Sequence, residues 1–90
     1  LTAYIITYDL GKPEHDYSEL REAIRGYNIY CQLQETAWLI VSANTPMEIR
    51  DNLKRHIDSN DKLFVSEIRA PAAWIGDYET GTSDWLHKFL

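Results

Sequence analysis

Apolar positions along the chain fall into four short runs separated by two stripes at helical spacing. The first run, Ala3-Tyr4-Ile5-Ile6-Thr7-Tyr8-Asp9, is strand-forming almost throughout and ends in a carboxylate. Ala3, Ile5 and Thr7 lie on one parity and Tyr4, Ile6 and Tyr8 on the other, so both faces are largely apolar. A strand of that kind belongs in the middle of a sheet covered on both sides. Residues 37–42, Ala37-Trp38-Leu39-Ile40-Val41-Ser42, read the same way. Residues 28–34 instead alternate, with Ile29, Cys31 and Leu33 set against Asn28, Tyr30, Gln32 and Gln34. That pattern is a half-exposed strand at a sheet edge. A fourth strand is expected over residues 62–68, and Glu35-Thr36 form a tight hairpin connection between the second and third.

Helical spacing appears twice. A polar loop over residues 11–15 leads to Asp16-Tyr17-Ser18-Glu19, which reads as a capping box with Asp16 as N-cap. Tyr17, Leu20, Ile24 and Tyr27 supply the stripe, and a left-handed cap at Gly26 or just beyond ends a helix over residues 17–25. The second start is better marked: Thr45 caps, Pro46 suits the first helical position and Glu48 completes the box. Ile49, Leu53 and Ile57 form its buried stripe, and Asp51 is spaced to pair with Arg55.

Strand, helix, strand, strand, helix, strand is the order of an α+β ferredoxin-like β-α-β-β-α-β sandwich. Right-handed crossovers then give strand order 4-1-3-2, with the two strands that are apolar on both faces in the centre. This core spans residues 3–68 of a single domain covering residues 1–90. Two helices cover only one sheet face, so a second cover is required. The tail over residues 70–90 is one candidate, with a short fifth strand at residues 72–75, a loop at 76–82 and a last helical turn or two capped by Ser83. Another copy of the chain is the other.

Composition sharpens this in three ways. Ninety residues bury roughly 60–65% of the unfolded surface. Three Trp, six Tyr and two Phe are many rings for so small a core, which points to a partner chain. The formal charge of −5 opposes non-specific binding to a phosphate backbone. Cys31 is alone, so no intrachain disulfide forms, and the expected compartment is a reducing cytoplasm. No run is long enough to span a membrane, and no charged-then-apolar leader precedes the first strand.

Candidate chemistry centres on Asp9, an acid at the mouth of a central strand, where open α/β sheets place ligands. Its alternative role is a loop-starting Asp that accepts backbone N–H groups. Arg50, Lys54 and Arg55 give the second helix a local positive character. They read either as phosphate contacts or as a solvated face neutralised by Glu48 and Asp51. His15, His56 and His87 show no metal-site spacing, and His56 suits the end of a helix dipole. Asp58, Asn60 and Asp61 lack the acids and glycine of a calcium loop and read as a solvated turn. No Ser-His-Asp set or phosphate-binding glycine loop is present. The tail rings Trp74, Tyr78, Trp85 and Phe89 are assigned to an interface rather than to base stacking.

The opening Tyr4-Ile5-Ile6-Thr7-Tyr8-Asp9, a helix, and then Tyr30-Cys31-Gln32-Leu33-Gln34-Glu35-Thr36-Ala37-Trp38 resembles the small CRISPR-adaptation family, the second of the two universal CRISPR-associated proteins. The virulence-associated protein D toxins share that opening. The resemblance implies a homodimer with the strand-end Asp of each subunit near the two-fold axis. It also implies metal-dependent cutting of RNA or DNA in some members. Tyr30 and Cys31 stand where the family pattern expects a basic residue, so Asp9 alone is carried over as catalytic and metal-binding, with Mg or Mn as the metal. Two expectations follow. One is a dimeric nucleic-acid-associated or regulatory module; the other is a metal-dependent endoribonuclease or other nuclease built on Asp9.

Overall fold

A computed structural model describes residues 1–12 and 16–90. The expected loop position of His15 lies outside the described residues. The elements run β1 (Thr2–Asp9), α1 (Ser18–Arg25), β2 (Tyr30–Gln34), β3 (Ala37–Ser42), α2 (Pro46–Lys54), β4 (Lys62–Glu67) and α3 (Thr82–Phe89). This is an α+β fold with one four-stranded antiparallel sheet, ordered β2-β3-β1-β4. The two strands that read as apolar on both faces, β1 and β3, are the central pair.

Register decides which side chains share a face. Ile6 lies opposite Trp38 on β3 and Val65 on β4, while Tyr4 lies opposite Ile40. These residues and Tyr8 pack under Leu20 and Ile24 of α1 and Ile49 and Leu53 of α2, forming the main core. Tyrosine and tryptophan enter that core because their polar ends are satisfied. Trp38 Nε1–H donates to the Tyr8 hydroxyl at 3.0 Å, and Tyr8 donates in turn to the Glu35 carbonyl at 3.2 Å. The Tyr4 hydroxyl donates to the Asn44 carbonyl at 2.7 Å.

The opposite face carries Ala3, Ile5, Thr7, Leu39, Val41, Cys31 and Phe64. Helix α3 packs against β2, burying Leu86 and Thr82, and Leu39 is fully enclosed. Thr82 hydrogen-bonds the Cys31 thiol, yet burial is the stronger influence and pushes that thiol's pKa up. The β1–β4 half of this face is barer: Ile5 and Thr7 are half-buried and Phe64 is 61% exposed.

Several local expectations need correction. No strand forms over residues 72–75; Ala72, Ala73 and Ile75 are exposed. Pro71 has no N–H to give a ladder and alanine is a poor strand former. Helix α3 starts from Gly81, not Ser83, because Gly81 adopts φ +95° and turns the chain into the helix. At α1, Tyr17 occupies the N-cap position and Asp16 accepts the Ser18 N–H at 2.9 Å, an Asx turn in place of a capping box. Gly26 stays right-handed at φ −63°, and Asn28 takes the positive φ of 70°. Asp51 pairs with neighbouring Arg50 at 3.0 Å, while Arg55 turns to the Asn52 side chain at 2.7 Å. The α2 capping box forms as expected: Thr45 Oγ1 accepts from Glu48 N–H and the Glu48 carboxylate accepts from Thr45 N–H.

Candidate functional site

Asp9 ends β1 on the barer face, exposed to solvent and directly opposite Lys62 in the β1–β4 register. Around it, Thr7, Tyr8, Lys62, Leu63 and Phe64 line a shallow hollow of about 200 Å³. Among the described residues, the lining supplies one carboxylate and one ammonium. Magnesium and manganese take oxygen ligands, commonly from one or two carboxylates. Among the described residues, no group of three or more His, Cys, Asp or Glu is placed to hold a metal. The described residues of a single chain therefore do not assemble a fit for the implied metal around Asp9.

The expected phosphate contacts separate. Arg50 joins exposed Met47 with Pro46, Leu63, Phe64 and Val65 around a second hollow of about 290 Å³. Leu63 and Phe64 line both hollows, so Asp9 and Arg50 flank β4 from its two sides. Lys54 and Arg55 line neither. Arg55 is instead held by the Asn52 carbonyl and side chain at the end of α2. Edge strand β4 thus lies between Asp9 and Lys62 on one side and Arg50 on the other, while Lys54 and Arg55 stand apart from it.

Asp61, expected to sit in a solvated turn, has a larger structural part than any residue singled out for chemistry. Its Oδ1 accepts the Gly11 N–H at 2.8 Å and its Oδ2 accepts the Asp58 N–H at 2.8 Å. The Tyr17 hydroxyl donates to the same carboxylate at 3.0 Å. One side chain therefore ties the exit of β1, the start of α1 and the entry to β4. The backbone bond from Asp58 is the main cause of a lowered Asp61 pKa, supported by Gly11 and Tyr17. Tyr17 is shifted up, first by burial and then by the adjacent carboxylate. Two of the Asp61 partners, Gly11 and Tyr17, lie 50 and 44 residues away in the chain, so spacing along the sequence carries no trace of them. His56 joins the helix layer beside this clamp, with Nδ1 3.8 Å from the Glu19 carboxylate. The chain matches no protein-family model.

Proposed function

We propose that this chain is a homodimeric module of ferredoxin-like architecture that binds a partner rather than cutting it. Two copies meet through the β1–β4 half of the barer sheet face. The observation that carries this reading is Phe64, a large ring 61% exposed on an edge strand beside half-buried Ile5 and exposed Met47. Large apolar side chains gathered at an open strand edge are characteristic of a surface that another chain covers. With Phe64 so covered, Arg50 and Lys54 on α2 stay outside the contact and offer cations to RNA or DNA, or to an acidic regulatory partner. Light scattering at micromolar concentration tests the dimer. A mass near twice 10.5 kDa is expected for the natural chain and a monomer for Phe64→Ser. A natural chain that scatters as a monomer sinks the proposal.

A second reading, a metal-dependent nuclease, draws support from the exposed position of Asp9 on that same face. A two-fold contact there brings a second Asp9 toward the first and so enlarges the carboxylate set. Incubation of single-stranded RNA and duplex DNA with Mg or Mn separates the two readings. Cleavage lost in Asp9→Asn with the dimer intact establishes the enzyme; no metal-stimulated cleavage over a wide substrate set, or equal activity in the variant, leaves the binding module.

A further inference from the structure

Strand β2 forms the other edge of the sheet, and the chain's tail runs beside it without joining it. Two clefts lie between them, of about 350 and 310 Å³, and both are lined by Gln32 and Glu79. Together they follow β2 from Tyr30 to Glu35. The Val41 N–H donates to the Ile29 carbonyl at 3.0 Å, and Cys31 lies opposite Leu39. Alternation in an antiparallel ladder then turns the backbone N–H and C=O of Tyr30 and Gln32 away from β3, into the first cleft. Among the described residues, no backbone–backbone hydrogen bond joins residues 77–82 to β2. The tail therefore walls the edge but does not complete the ladder.

The walls differ along the groove. At the Tyr30 end stand the Tyr30 and Trp85 rings, with the Arg25 guanidinium held over Trp38 at 5.3 Å. At the Glu35 end, Glu35, Asp77 and Glu79 contribute three carboxylates, and among the described residues no Lys, Arg or His lines that cleft. Unpaired edge amides select an extended backbone, and a one-sided row of carboxylates selects cations on it.

We propose that the β2–tail groove binds an extended basic peptide segment of a partner protein as an added strand. Its backbone pairs with Tyr30 and Gln32, its basic side chains lie toward Glu35, Asp77 and Glu79, and its apolar side chains lie toward Tyr30 and Trp85. This surface is separate from the Phe64 face, so the groove and the dimer stand or fall independently.

A blocked hexapeptide of alternating valine and lysine is the probe, read by calorimetry and by quenching of Trp38 and Trp85 fluorescence. Binding is expected for this peptide and not for its valine–glutamate counterpart. Glu79→Lys, an exposed change checked for folding by circular dichroism, is expected to weaken it about tenfold or more. Phe64→Ser leaves it unchanged. Two N-methylated isomers, blocked at the lysine or at the valine amides, test the added strand directly. Only the set of amides facing β2 matters, so one isomer binds and the other does not. Equal binding of both isomers, no binding of the parent peptide, or indifference to Glu79→Lys overturns the proposal. So does a single-stranded RNA octamer that quenches the same tryptophans where the peptide does not.

Discussion

The two faces of the sheet are closed by different means. On one, α1 and α2 lie between strands in the chain, are pinned at both ends, and seal Ile6, Trp38 and Ile40 almost completely. On the other, the covering element is α3, joined to β4 by residues 68–81, which form no helix or strand. It closes Leu39 and Cys31 and leaves Phe64 out. A helix inside a β-α-β crossover is forced onto its sheet by both neighbouring strands. Helix α3 instead reaches the sheet across a long connection without helix or strand and packs on β2, so its cover does not extend to β4. The faces should therefore differ in what a substitution costs.

The largest effect belongs to the helix-covered face. Trp38→Ala removes a ring that is 1% exposed, together with its hydrogen bond to Tyr8. A loss of about 3–5 kcal/mol in urea unfolding is expected. A loss below about 1 kcal/mol would mean that this face is no better packed than the other.

Leu86→Ala probes the tail's hold on the opposite face. Leu86 is buried on α3, but the element that carries it reaches the sheet across residues 68–81, which form no helix or strand. About 2–3 kcal/mol is expected, the lower part of the range for a buried leucine. Release of α3 opens Cys31, so the variant's thiol should react faster with a disulfide reagent than the natural one. Unchanged reactivity would show that α3 stays docked without its leucine.

These contrasts also explain what could be read in the sequence. Central strands β1 and β3 were legible because a strand covered on both sides must be apolar on both parities, and the tail supplies part of that second cover. The α2 cap was legible because Thr45 and Glu48 sit three residues apart in one local motif. The α1 cap was not, since Asp16 satisfies Ser18 through an Asx turn and the nearby carboxylate clamp comes from Asp61, far along the chain. Asp9 and the α2 cations could be named from residue type, but only the sheet register shows that Lys62 faces Asp9 and that β4 lies between Asp9 and Arg50. The β2 groove depends on the path of the tail after Pro71, which no local pattern specifies.

Phe64→Ser reads the uncovered half. An exposed ring contributes little to a monomer, so the intrinsic change should stay within about 0.5 kcal/mol. The dimer supplies the contrast. A natural chain that associates through Phe64 has a melting temperature that rises with protein concentration, and the serine variant does not. A concentration-independent melting temperature in both would remove Phe64 from the contact.

The smallest effect is a pH dependence at the clamp joining β1, α1 and β4. Asp61 has a folded pKa below its ordinary 3.8, so below that value the unfolded chain binds more protons. Its contribution is complete above about pH 4 and is lost as pH falls through the folded value. Asp16, lowered chiefly by the Ser18 N–H, adds to the same acid limb. Tyr17 has the opposite sign. Its folded pKa lies above 10.0, so its contribution is present below pH 10 and is lost as pH rises through the folded value. Asp61→Asn should flatten the acid limb and Tyr17→Phe the alkaline one. Because the Tyr17 hydroxyl donates to Asp61, the Asn variant should also bring the tyrosine's ionisation back toward its ordinary value. A spectrophotometric titration of Tyr17 at 295 nm, isolated by difference against Tyr17→Phe, measures that coupling. An unmoved tyrosine in the Asn variant would leave burial and the Asp58 charge to explain its shift.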